Sequence, residues 1–135
     1  MKSFISSLVF AAVACGGDAA RNIAVEIVEP ANGAVMSGPD VRVVLVATGV
    51  EIVSAAEERE GTAHHHLFVD RGSTSPDDTI PSGVTGILHL GRGQTEFVLR
   101  GLASGEHTVI ALLANWAHLP LRPLAADTVN FAVRP

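Results

Sequence analysis

Three consecutive histidines, His64-His65-His66, are the most chemically pointed residues of this chain, and all six of its histidines lie between positions 64 and 118. In an extended segment alternate side chains share a face, so His64 and His66 project together while His65 points the other way with Leu67 and Val69. An H-x-H pair on a strand therefore offers two imidazoles to one ion. With His89 or His118 brought close by the fold, three nitrogen ligands suit Zn²⁺ or Cu²⁺, and Asp70 or Asp127 is placed to add an oxygen ligand or to orient a ring. Two other roles stand beside metal binding. Polar residues at the end of a sheet also fasten loops by hydrogen bonding, and a histidine cluster also serves as a contact for a ligand or partner. His65 and His107 are expected in structural or solvent-facing positions.

Other chemistry finds little support. The G-x-S-x-G pattern of a nucleophile elbow does not occur, and Ser82-Gly83 and Ser104-Gly105 lack its context, so an enzyme is not expected. Gly91-Arg92-Gly93 lacks the further glycines and the following helix of a phosphate loop and reads as a hairpin turn. The lone Trp116 is expected to cap the core. The net charge is −5, and eight scattered arginines with a single lysine, Lys2, face fourteen acids. Neutralising a phosphate backbone needs a basic stripe, so nucleic-acid binding is excluded.

The N-terminus, Met1-Lys2-Ser3 followed by a mostly apolar run from Phe4 to Ala14, reads as a signal peptide over residues 1–14. That run is shorter than the roughly 20 apolar residues that span a bilayer. Ala12-Val13-Ala14 suits an ordinary peptidase, whereas Ala12-Val13-Ala14-Cys15 resembles the lipobox of bacterial lipoproteins, with Ala12 where leucine is commoner. The lipoprotein is favoured because Cys15 is the only cysteine and Gly16-Gly17-Asp18 starts a flexible tether over 15–21. With Cys15 lipidated, no thiol remains for a disulfide or a thiolate metal site. The expected protein is exported, periplasmic or outer-membrane-attached, held to the membrane by lipid and monomeric.

The elements that must carry the histidines are strands. The 135 residues are 47% hydrophobic, rich in Val, Leu and Ile, with 13 Gly and 7 Pro, which fits one domain over 22–135 built of short strands and tight turns. Alternation or β-branched runs mark strands at 22–28, 41–47, 50–53, 64–70, 85–90, 96–99 and 128–133. The near-continuous apolar run 106–115 reads as a central strand buried on both faces. Ser54 to Thr62 is acidic and reads as an exposed loop. The expected fold is all-β, an immunoglobulin-like antiparallel sandwich of seven to eight strands, with 85–90 and 96–99 as a hairpin.

These segments also carry a resemblance. Val28-Glu29-Pro30-Ala31-Asn32-Gly33-Ala34-Val35, the run Thr62 to Asp70, His89-Leu90-Gly91-Arg92-Gly93-Gln94-Thr95-Glu96, Gly105-Glu106-His107 and His118-Leu119-Pro120 together resemble the bacterial domain of unknown function 4399 (DUF4399) over nearly all of the mature chain. The resemblance implies an exported single-domain protein and brings no established activity. Ala63 stands where that family has a glycine before the histidine run. Taken together, a β-sandwich binding module with a transition-metal site is expected, and the alternative is a structural or protein-interaction domain of the cell envelope without metal.

Overall fold

The computed structural model describes residues 22–135, so the export segment, the tether and Cys15 lie outside the described residues. Among the described residues there is no helix. Nine strands run in chain order: β1 Ala24–Glu29, β2 Val35–Ser37, β3 Val41–Thr48, β4 Glu51–Ile52, β5 Thr62–Val69, β6 Ile87–Leu90, β7 Glu96–Leu99, β8 Gly105–Ala114 and β9 Ala126–Arg134. One sheet has the order β1-β3-β7, and the larger has β2-β9-β8-β5, with β4 and β6 both joined to β5.

The two layers meet through alternating side chains. Val41, Val43 and Leu45 of β3 point inward while Arg42 and Val46 face out, which is the period-two pattern of a half-buried strand. From the larger sheet, Leu67, Leu90, Val109, Leu113 and Phe131 pack against them. Each fully buried side chain of this kind contributes roughly 1.5–3 kcal/mol, so this inter-sheet core holds the layers together.

The larger sheet has a second apolar cluster. Phe68, Leu112 and Ala114 are buried together with Ile80, which comes from the loop between β5 and β6. These strand positions alternate with Leu67, Leu113 and the other inter-sheet residues, so the cluster lies on the sheet's outer face. Every residue from Thr62 to Phe68 is consequently buried, and β8, between β5 and β9, is buried on both faces over its second half.

Four expectations are revised. The described residues form nine strands, because Val35–Ser37 pairs with β9, and the sheets are not wholly antiparallel: β2 runs parallel to β9 and β4 parallel to β5. The segments around Gly91-Arg92-Gly93 are not a hairpin. β6 pairs with β5 and β7 with β3, so the chain crosses between sheets there, and Leu90 and Leu99 enter the core from opposite layers. Trp116 does not cap the core; it is 39% exposed.

Candidate metal centre

Three of the site's side chains stand on one sheet face. His64 and His66 occupy alternate positions of β5, and register sets His89 of β6 directly opposite His66. On the other side of β5, Ala114 lies opposite His64 and Leu112 opposite His66, which gives the rings an apolar flank. His65, on the reverse face, is wholly buried and bonds the Gln94 carbonyl through Nδ1 at 3.1 Å.

His118 arrives from the loop after β8. The Asn115 side-chain oxygen accepts the backbone N–H groups of Ala117 (3.0 Å) and Leu119 (3.1 Å), and the Asn115 carbonyl accepts that of His118 (2.9 Å). The loop is anchored across the site, since Ile80 donates its N–H to the His118 carbonyl at 2.9 Å. His118 has φ of 60°, the left-handed region that costs a non-glycine residue energy and persists where surrounding structure holds it. Folding thus places its ring over the three on the sheet.

The four rings form a compact group in which one nitrogen of each lies within 4.8 Å of all the others. Ring centroids are 4.8 Å apart for His64–His66 and His89–His118, 4.9 Å for His64–His89, 5.0 Å for His64–His118 and His66–His89, and 5.5 Å for His66–His118. The Nε2 atoms of His89 and His118 approach to 3.2 Å. His64 Nε2 and His66 Nδ1 are buried and bond to nothing. Such an unpaired buried polar group costs about 1–3 kcal/mol; His65 Nε2, on the reverse face, is likewise buried without a partner, and what sets the His64 and His66 atoms apart is their place among four converging rings.

Burial dominates the electrostatics. It lowers the His64 pKa to about 4 and that of His66 to about 3, with mutual repulsion among the rings adding to both. His89 is lowered as well, by burial and then by His118. His64, His66 and His89 are thereby held toward the neutral form, in which imidazole ligates a metal.

His107 supplies a contrast within the same molecule. Its Nε2 bonds the Ala103 carbonyl and its Nδ1 the Asp70 carboxylate, both at 2.7 Å. Two acceptors on one ring favour the imidazolium, and the Ala103 bond, followed by Asp70, raises the pKa against the opposing effect of burial. Asp70 is thereby committed to His107 and to the Thr108 N–H, and Asp127 accepts from the N–H groups of Ile27 and Thr128. Neither carboxylate is hydrogen-bonded to the four-ring cluster.

Gly91 is a site residue that sequence reasoning missed. A Cβ added there would lie 2.2 Å from Cε1 of the His89 ring, so only glycine leaves that ring its place. The available signal was spacing: position 91 follows His89 by two, just past the end of β6, where an extended chain returns to the same side.

The chain is thus a two-layer β-sandwich with four convergent imidazoles at the outer face of its larger sheet, a group that could hold a metal ion. The sequence pattern described as a domain of unknown function (DUF4399) matches residues 43–134, more than half of the chain, and the chain belongs to that family. No curated protein matches the sequence. Among solved structures, an engineered protein is similar at 15% identity and TM-score 0.51, over 84% of this chain and 20% of its own length. An extracellular domain from B. thetaiotaomicron is similar at 8% identity and TM-score 0.47, over 83% of this chain and 15% of that one. The chain thus spans about a fifth or less of these neighbours, and at 15% identity the engineered protein informs the fold alone.

Proposed function

We propose that this chain is a transition-metal-binding module of the cell envelope, taking Zn²⁺ or Cu²⁺ through His64, His66, His89 and His118. The observation that carries this is the pair of buried, unpartnered nitrogens, His64 Nε2 and His66 Nδ1, inside a group of four mutually close imidazoles. His107, with both nitrogens bonded, and His65, with one bonded and one bare, stand outside this group and converge with no other imidazole. The alternative of a metal-free structural or interaction domain gives the convergence of the four imidazoles no role. Neutral nitrogen donors with no thiolate or carboxylate among them match Zn²⁺ and Cu²⁺ rather than Mg²⁺ or Ca²⁺.

Export and anchoring rest on the Ala12-Val13-Ala14-Cys15 sequence, and in this proposal a lipid on Cys15 holds the module at the membrane. The finer description of the sandwich as immunoglobulin-like is supported by strand order, because β1-β3-β7 and β9-β8-β5 correspond to the A-B-E and G-F-C sets of that fold. No residue is assigned a catalytic role, and the module is a binder rather than an enzyme.

Calorimetric titration of the chelator-stripped full chain with Zn²⁺ and Cu²⁺ tests the metal. A dissociation constant of about 1 μM or tighter, lost on replacing His64 and His66 together with Gln, is expected. Absence of binding below about 1 mM for both ions overturns the proposal.

A further inference from the structure

The six centroid separations carry more than proximity. Four points whose pairwise distances all fall between 4.8 and 5.5 Å lie at the corners of a nearly regular tetrahedron. With Zn–N bonds of about 2.0–2.1 Å and roughly 1.1 Å from nitrogen to ring centroid, rings aimed at one ion have centroids about 3.2 Å from it and about 5.2 Å from each other. A square-planar set of the same radius instead has two long diagonals of about 6.4 Å, and no pair here approaches that. The His89–His118 nitrogen pair agrees: 3.2 Å, against about 3.3 Å between two ligands of a tetrahedral zinc.

The construction explains the shape. A flat sheet face can present three rings side by side, and a fourth ligand from the same face would stay in their plane. His118 instead comes from a loop closing over that face, which turns a flat triangle into a capped one.

We propose that His64, His66, His89 and His118 form a closed, four-coordinate Zn²⁺ centre that leaves no coordination position for water or substrate. This rests on the metal binding proposed above and adds ion preference and coordination. A metal with no tetragonal preference fits such a cage, and Cu²⁺ and Ni²⁺ are held in it only with distortion. Four protein ligands fill the tetrahedral shell, as in structural zinc sites, whereas catalytic sites keep one position open.

The test uses Co²⁺ as a spectroscopic stand-in on the chelator-stripped full chain. Expected are the intense visible absorption of four-coordinate cobalt, saturating at one equivalent, and its loss when one equivalent of Zn²⁺ is added. Uptake with only the faint absorption of six-coordinate cobalt overturns the closed tetrahedron while metal binding stands. Uptake of neither ion overturns both. Replacing the loop ligand, H118Q, is expected to weaken Zn²⁺ binding about tenfold or more and to shift the cobalt spectrum as solvent enters the shell. An unchanged spectrum and affinity in a folded H118Q chain overturns the four-histidine assignment.

Discussion

At the scale of single residues, the proposed metal centre depends on a hydrogen atom as much as on its rings. Gly91 has no side chain, and the His89 imidazole fills the space where a Cβ would stand. Gly91→Ala is therefore expected to push His89 off its position and to weaken Zn²⁺ affinity about tenfold or more, leaving the far-ultraviolet spectrum of the strands intact. Isothermal titration beside circular dichroism reads both. His107 makes a separate claim, because its pKa is raised in the folded state. A raised value means that the fold binds the proton more tightly than the unfolded chain. Its stabilisation is complete below the unfolded pKa of about 6.5 and fades as pH rises through the higher folded value. Denaturant midpoints of the parent and His107→Gln should differ most near pH 5 and converge in alkaline solution, and a gap that widens with pH would contradict the Asp70 and Ala103 bonds.

At the scale of elements, the loop carrying His118 is held by Asn115 and by Ile80, and it alone brings a ligand from off the sheet. Zn²⁺ should slow amide exchange of residues 115–119 far more than that of β1 or β3, which hydrogen exchange with mass spectrometry resolves. Equal protection everywhere would mean that His118 is not pulled in. How much of this was legible beforehand varied with the element. His64 and His66 could be paired because strand alternation is local, and the two-face burial of β8 followed from its apolar run. That His89 faces His66 depends on register across an intervening loop, which no local pattern encodes. β2 and β4 escaped or blurred because they have three and two residues and pair in parallel with distant or loop-separated partners. Asp70, one residue past the strand, bonds to His107 and to the Thr108 N–H, a pairing across two strands that composition cannot foresee.

At the scale of the whole molecule, two apolar clusters on opposite faces of one sheet divide the work. Phe131 belongs to the inter-sheet core and Leu112 to the cluster on the histidine side. Phe131→Ala should cost about 3–5 kcal/mol in urea unfolding without changing metal affinity of the folded chain, while Leu112→Ala, costing about 2–5 kcal/mol, should weaken both. Metal adds to stability by mass action. At free Zn²⁺ a hundredfold above its dissociation constant the gain is about 2.7 kcal/mol, roughly 10 °C in Tm for a domain of this size, and calorimetric scans with and without chelator measure it. The seven successive buried residues of β5, Thr62 to Phe68, have one more consequence. Were that strand to slip by a single position against its neighbours, His64 and His66 would be driven between the layers and Leu67 would be thrust outward. Misalignment would wreck cohesion and ligand display in one stroke, so the chain proofreads the arrangement of its imidazoles merely by folding.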